Sequence, residues 1–420
     1  MYLTEEEKAM LDGAEGKAAA EALDYLIQFG EAFGAERLVD ISFCIYPAEQ
    51  SIYEGMVEDL VQYAETGAKV RVPSPATTLS ADLEKPAITD IPEFLAEHQL
   101  KVVEAHRRMG VLETYTCAPQ LLGFIPPFGS YAALVESSAI IYYNSVLGVR
   151  SNRGGLFTRF SAVTGKYPLM GYLLDENRKG TMLFKVNIPE SKLNSYDEYS
   201  ALGMHIGAIV GSGVPVIDGI KPQRQEQLLG LGAALATSGS VTLFHIPGVT
   251  PEARTLEEAF QGEVPKDYIE VTLKDIEKIY EKQTNIESGE AIDFVTLGCP
   301  HYNLDQLRIV AEKLKDRKVA DGVRFWICTS RMARKQAEFS GYVEIIEATG
   351  AKVVADTCPV ESHLRISTCR KLGLEVPNVK AMVCDSGKMI RYVGDLIGCK
   401  TALTNLEKCI ESAIEGRLIL

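Results

Sequence analysis

The chain has 420 residues, 46% of them hydrophobic and 24% charged, an ordinary globular composition with enough length for two or three lobes. Fifty-seven acidic against 43 basic residues give a net charge of −14, which weighs against nucleic acid or an anionic membrane as the main partner, because both select basic surfaces. No run approaches eighteen consecutive apolar residues, and Met1-Tyr2-Leu3-Thr4-Glu5-Glu6-Glu7 lacks the basic start and apolar stretch of a signal peptide, so a cytoplasmic protein without membrane spans is expected.

Thr4 and Glu7 have capping-box spacing for a first helix. Glu15 to Phe33 reads as a long helix ended near Gly34, and Arg37 to Phe43 alternates like a strand. Gly67 to Pro73 predicts a turn into another short strand, and residues 93–109 an amphipathic helix closed by Gly110. Residues 1–110 therefore form a helix-rich N-terminal lobe. From 111 to 204 the pattern is less regular. Its apolar, Gly- and Ser-rich stretch Glu136 to Arg153 suits either a pocket lining or a buried helix packed through small residues. From 205 to 420 strands and helices alternate. Val214–Ile217, Val241–His245, Phe294–Leu297, Phe325–Thr329 and Val353–Asp356 are short apolar runs, each followed by a helical stretch. The expectation is an α/β, multi-lobed fold with mostly parallel sheets flanked by helices, in which ligands gather where strands end.

Nine cysteines, an odd number in a large chain, argue against a disulfide scaffold. No Cys-x-x-Cys occurs, so any metal site must be assembled from distant segments. Cys117, Cys299 and Cys358 share one placement. Each ends an apolar run (Leu112–Thr116, Phe294–Gly298, Val353–Thr357) and precedes a nearby proline that stops a strand. Three thiolates from separate strand ends could hold an iron–sulfur cluster with one iron open to substrate, or they could be three packed core thiols. Cys44, Cys328, Cys369, Cys384, Cys399 and Cys409 read as packed side chains.

Gly207-x-x-x-Gly211-x-Gly213 precedes a strand rather than following one, so a nicotinamide site is rejected. No P-loop, nucleophile elbow or His-Glu-x-x-His is present, and the six histidines lack zinc spacing. His301, two residues past Cys299, stands out but suits an ordinary loop histidine. Cys384-Asp385-Ser386-Gly387-Lys388 opens a helix after an apolar run, and could hold a carboxylate or phosphate or be a solvated helix start. Arg331 after Thr329-Ser330 has the same two readings.

Taken in order, Thr116-Cys117-Ala118-Pro119, Glu136-Ser137-Ser138-Ala139, Asn144-Ser145-Val146-Leu147-Gly148-x-Arg150-x-Asn152-Arg153 and Leu173-Leu174-Asp175-Glu176-Asn177-Arg178 resemble a known family. So do His245-x-x-Gly248-x-Thr250-Pro251-Glu252-Ala253, Gly298-Cys299-Pro300-His301, Thr329-Ser330-Arg331 and Asp356-Thr357-Cys358. The sequence resembles the large, catalytic part of aconitase X from Tyr2 to about residue 395. The resemblance implies an aconitase-like iron–sulfur hydro-lyase with Cys117, Cys299 and Cys358 as ligands of a [4Fe–4S] cluster; three cysteines would also suit a smaller cluster or mononuclear iron. It implies Ser137, Ser138, Ser386 and Lys388 near substrate, with Thr77 and Arg331 joining them as substrate-binding candidates. The catalytic base is expected on a small swivel-domain subunit, a separate partner, with the active site at the interface.

Four segments depart from the family pattern. Cys44 to Gln50 replaces Ser-Gly-Val-Ser-Tyr and is shorter, and Ser74-Pro75-Ala76-Thr77-Thr78 replaces Thr-Thr-Leu-Asn-Pro. Arg153 to Thr158 replaces Arg-Glu-Gly-Gly-Pro-Ser, and Asp385 replaces the Asn before Ser386. None is a cluster position; all bear on substrate. The family activities are dehydration of cis-3-hydroxy-L-proline and of mevalonate 5-phosphate. A phosphate site favours exposed N–H groups and cations, and Glu49 in the first replaced loop works against one, so cis-3-hydroxy-L-proline is the named expectation. The alternative classes are mevalonate 5-phosphate dehydratase and a binding or scaffold subunit that has lost its cluster.

Overall fold

The computed structural model describes residues 1–48 and 53–420. Glu7 N–H donates to Thr4 Oγ1 (3.2 Å) and Thr4 N–H to the Glu7 carboxylate (2.8 Å), so the predicted capping box opens helix Glu5–Leu11. Helices Lys17–Ala32 and Glu93–Met109 form where expected, the second closed by left-handed Gly110. The strand expected over 37–43 splits in two. Leu38–Asp40 pairs antiparallel with Lys166–Pro168, whereas Phe43–Cys44 pairs parallel with Ala132–Ala133. No strand forms over 67–73; Pro75 and Ala76 instead make single bridges to Leu112 and Tyr46.

Two parallel sheets dominate the rest. One has three strands, in the order Pro215–Asp218, Met182–Asn187, Ile269–Thr272. The other has five: Lys352–Ala355, Arg324–Thr329, Phe294–Tyr302, Ala381–Cys384 and Lys400–Leu403. The α/β, multi-lobed expectation holds, with mostly parallel sheets flanked by helices. Burial explains the apolar runs, because every residue of Phe294–Tyr302 is buried, as parallel strands covered on both faces require.

Two expected strands are absent. Val241–His245 makes only a bridge from His245 to Val216. Leu112–Thr116 likewise makes one bridge, Leu112 to Pro75, because left-handed Tyr115 (φ 40°) breaks the pleat. Of the glycines of 207–213, Gly207 and Gly213 serve close packing and Gly211 ends a helix at positive φ. Helices Tyr196–Val210 and Gln225–Gly239 cross so closely that a Cβ on Gly207 would lie 2.1 Å from Ser238 Oγ. Among the described residues, no helix is long and apolar enough to cross a membrane.

Candidate active site

Each of the three singled-out cysteines follows a left-handed residue. Gly298 (φ 89°) precedes Cys299, while Tyr115 (φ 40°) and Asp356 (φ 67°) stand two residues before Cys117 and Cys358. At Gly298 the reason is space, since a Cβ there would lie 2.1 Å from Cys328 O on the adjacent strand. Pairing of Phe294–Tyr302 with Arg324–Thr329 slips between Leu297 and Tyr302, so Cys299, Pro300 and His301 bulge out of the ladder. Pro300 therefore interrupts the pairing and the strand resumes after it, rather than stopping there.

His301 ties the three segments together. Its backbone N–H donates to Cys117 Sγ (3.3 Å), and its ring Nε2 lies 3.2 Å from Thr357 O, next to Cys358. A carbonyl can only accept, so Nε2 carries the proton and Nδ1 accepts from the Thr116 hydroxyl at 3.1 Å. Burial pushes the ring down to about 4, which keeps it neutral in this role. The bland reading of His301 as a loop histidine missed this tie, whose partners lie 185 and 56 residues away. A cavity of about 370 Å³, lined in part by Thr116, Ala118, His301 and Ser330, opens beside it.

Lys388 reaches the same place from the helix Gly387–Ile397. Its ammonium donates to Glu136 Oε1 (2.6 Å) and lies 3.4 Å from both Ser137 Oγ and Ser138 Oγ, at the start of the buried helix Ser137–Ser145. Burial works against both charges. For Lys388 the Glu136 carboxylate and the neighbouring thiols together outweigh it and hold the ammonium above its ordinary value, and Lys388 with Ser138 holds Glu136 below its own. Cys299 and Cys117 also act on Lys388 electrostatically. Ser386 caps the helix, its hydroxyl accepting from Met389 N–H (3.3 Å), and it also hydrogen-bonds the Cys299 thiol. Glu136 was not legible as a site residue: a buried acid paired with a lysine 252 positions away leaves no local pattern.

Arg331 is paired with buried Asp356 (Nη2–Oδ2 2.7 Å) and lies over the Tyr115 ring at 4.6 Å, joining the Cys358 and Cys117 segments. Thr77 stands one residue from that platform. Ala76 O accepts from Thr116 N–H (3.2 Å), while Thr77 Oγ1 accepts from Ala48 N–H (3.0 Å). Glu49 and Gln50 lie outside the described residues. Asp385 accepts the Tyr302 hydroxyl at 2.5 Å, and burial pushes its carboxyl up to about 7.

The donor set fits an iron–sulfur group. Cys358 has Cys299 and Cys117 in its electrostatic neighbourhood, and burial pushes all three thiols up, Cys299 to about 11, where Lys388 and Ser386 oppose it. Such thiols become thiolates when a metal binds them. Among the described residues, no three His, Cys, Asp or Glu side chains converge on a single-ion site. Thiolates that bind separate irons of one cluster need no such convergence. The Thr357 hydroxyl and both polar atoms of the Gln120 amide, flanking Cys358 and Cys117, are buried without protein partners. Cys328 also neighbours Cys358, but it is fully buried within its strand with the Thr296 hydroxyl 3.9 Å away.

Family signatures described as the aconitase X first, second and third domains match residues 1–176, 180–281 and 292–415. The chain belongs to the aconitase X family. It is 38% identical over 401 residues to a phosphomevalonate dehydratase large subunit of Methanothermobacter thermautotrophicus, covering 95% of each chain. It is 34% identical over 424 residues to the cis-3-hydroxy-L-proline dehydratase of Pseudomonas aeruginosa, covering 98% of this chain and 70% of that one. A crystal structure of Thermococcus kodakaraensis aconitase X in its holo-form superposes with a TM-score of 0.83 at 32% identity, covering 98% of this chain and 100% of that one. This aconitase X member is therefore a dehydratase, a hydro-lyase, as the resemblance implied.

Proposed function

We propose that this chain is the large subunit of an iron–sulfur hydro-lyase that removes water from a small 3-hydroxy carboxylate. The observation that carries the reading is the tie of the three cysteine segments through His301 beside the Lys388–Glu136 pair. Cys117, Cys299 and Cys358 would hold the cluster, proposed as a [4Fe–4S] group. When bound, such a cluster supplies a Lewis-acidic iron for a departing hydroxyl. The chain's own groups do the rest of the holding. Lys388 offers a buried positive charge to a substrate carboxylate, Glu136 fixes the ammonium, and Ser137 and Ser138 offer hydroxyls at the same spot. The base that takes the α-proton is assigned to a small partner subunit, which the large-subunit names of relatives support.

Both activities named among the relatives act on 3-hydroxy carboxylates, so they share this chemistry and differ in charge. Lys388 and Arg331 are already paired with Glu136 and Asp356, and the Gly387 and Met389 N–H groups are taken by Ser200 and Ser386. That leaves little here for a phosphate dianion and favours cis-3-hydroxy-L-proline. Mevalonate 5-phosphate is the second reading, favoured by the 38% identity over 95% of each chain.

The test is anaerobic co-purification with the small subunit, followed by iron and sulfide analysis and assay of both substrates. Brown protein turning over one of them supports the proposal and names the substrate. Colourless, iron-free protein after reconstitution would leave a cluster-less binding subunit.

A further inference from the structure

Arg334, in helix Arg331–Phe339, has a fully buried guanidinium paired with Asp82, whose side chain is equally buried. Glu84 adds a second contact to the same guanidinium at 2.7 Å. Replacing a buried ion pair with apolar side chains is often neutral or stabilising, so stability alone does not explain this one. The remaining contacts of Asp82 suggest what does. Its Oδ1 accepts from the N–H groups of Glu84 (3.1 Å) and Lys85 (3.0 Å), making its own loop rigid. Its Oδ2 accepts from Ala355 N–H (2.9 Å).

Ala355 ends the edge strand Lys352–Ala355, which pairs only with Arg324–Thr329, so this buried N–H has no strand to meet it. The next residue, left-handed Asp356, is held by Leu79 N–H on its carbonyl (2.8 Å) and by Arg331 on its carboxylate. Cys358 follows two residues later. Residues 79–85, from the first of the matched domains, thus meet the third domain where its chain leaves the sheet toward Cys358.

We propose that Asp82 is a positioning residue, clamped by Arg334, that receives Ala355 N–H and sets the direction in which Cys358 leaves the sheet. The inference rests on the reading of Cys358 as a cluster ligand, and its test is run on iron-free protein so that the two fail separately. Thiol alkylation of the folded full-length chain, mapped by mass spectrometry, gives a rate for each of Cys117, Cys299 and Cys358. Asp82→Ala is expected to raise the Cys358 rate about tenfold, the opening that goes with one lost buried hydrogen bond, and to leave Cys117 and Cys299 within about twofold. Asp82→Asn, which keeps an acceptor for Ala355, should return Cys358 to near the wild-type rate. No rise, or a rise shared equally by the three thiols, would overturn the proposal. Should Asp82→Ala fail to fold, Arg334→Gln carries the test at about threefold, with Glu84 and Lys335 keeping the surroundings charged.

Discussion

The five-stranded sheet and the segment that carries Cys117 bring their cysteines to one place by different means. Cys299 rises from a wholly buried central strand with partners on both sides, in a bulge held between the ladder pairs at Leu297 and Tyr302. Cys117 rises from a stretch with no strand at all. Leu112 N–H reaches Ser74 O (2.9 Å), Thr116 N–H reaches Ala76 O (3.2 Å), and Tyr115 sits under the Arg331 guanidinium. A ladder spreads its load over many repeated bonds, whereas the Cys117 segment depends on a few placed side chains, two of them sent across by the sheet region.

The largest expected effect would erase the comparison. Cys117→Ala, Cys299→Ala or Cys358→Ala should each abolish the brown colour and lower activity by more than about a hundredfold, as loss of a ligand to an essential metal group does. Cys369→Ala should keep both, since its thiol only donates to His363 O (3.0 Å) on the helix Ile366–Leu372 side. Iron per chain and visible absorbance are the readouts; an essential Cys369 with a dispensable Cys358 would refute the assignment.

Next comes the pair that bridges the two regions. Lys388→Ala should cut kcat/KM by about a hundred- to a thousandfold if the ammonium holds substrate charge. It should also cost about 3–5 kcal/mol of stability, because the Glu136 carboxylate stays buried without its partner. The double variant Lys388→Ala, Glu136→Gln separates the two effects, recovering melting temperature but not activity. Recovery of both would make the pair structural.

A third comparison is between the two ways of turning the chain before a cysteine. Gly298→Ala sets a methyl against Cys328 O in the sheet and should destabilise by about 3 kcal/mol. Tyr115→Phe keeps the ring under Arg331 and loses a hydroxyl that is buried without a hydrogen-bond partner, so it should change stability by less than about 0.5 kcal/mol. Chemical denaturation of both variants reads the contrast, and equal losses would mean that backbone space governs both turns.

What could be read from the sequence follows the same division. Val353–Asp356 and Phe325–Thr329 were legible because strands buried on both faces leave unbroken apolar runs, and helix 93–109 because Gly110 ends its amphipathic period. Leu112–Thr116 carries an equally strand-like pattern and residues 74–76 bond alongside it, yet left-handed Tyr115 breaks the pleat before a ladder forms, which the apolar pattern does not reveal. Among candidate site residues, Lys388 was singled out by its helix-start motif as well as by the resemblance, and Ser137 and Ser138 by the resemblance. Glu136, Asp82 and the tie through His301 were missed because each is defined by a partner more than fifty residues away.

The smallest expected effect tests the first region alone, through pH. His106 is fully buried between Tyr46 and Tyr115, and burial pushes its ring down from 6.5 to about 3, against a smaller opposing contribution from the Pro47 backbone. The ring is neutral in folded and unfolded chains above pH 6.5, where its contribution is complete. Between 6.5 and about 3 the unfolded chain takes a proton that the folded one refuses, so stability falls with pH across that window. At pH 5 the loss amounts to about 2 kcal/mol. Asp356 and Asp385, pushed up by burial to about 6 and about 7, act with the opposite sign, because the folded chain takes their protons first. The raw pH curve therefore mixes both. The difference between wild type and His106→Phe, which keeps an aromatic ring against both tyrosines, isolates the histidine. Denaturation at pH 7.5 and at pH 5 should show the variant about 2 kcal/mol less sensitive to acid; an unchanged difference would place the acid-labile part of the molecule outside the N-terminal core.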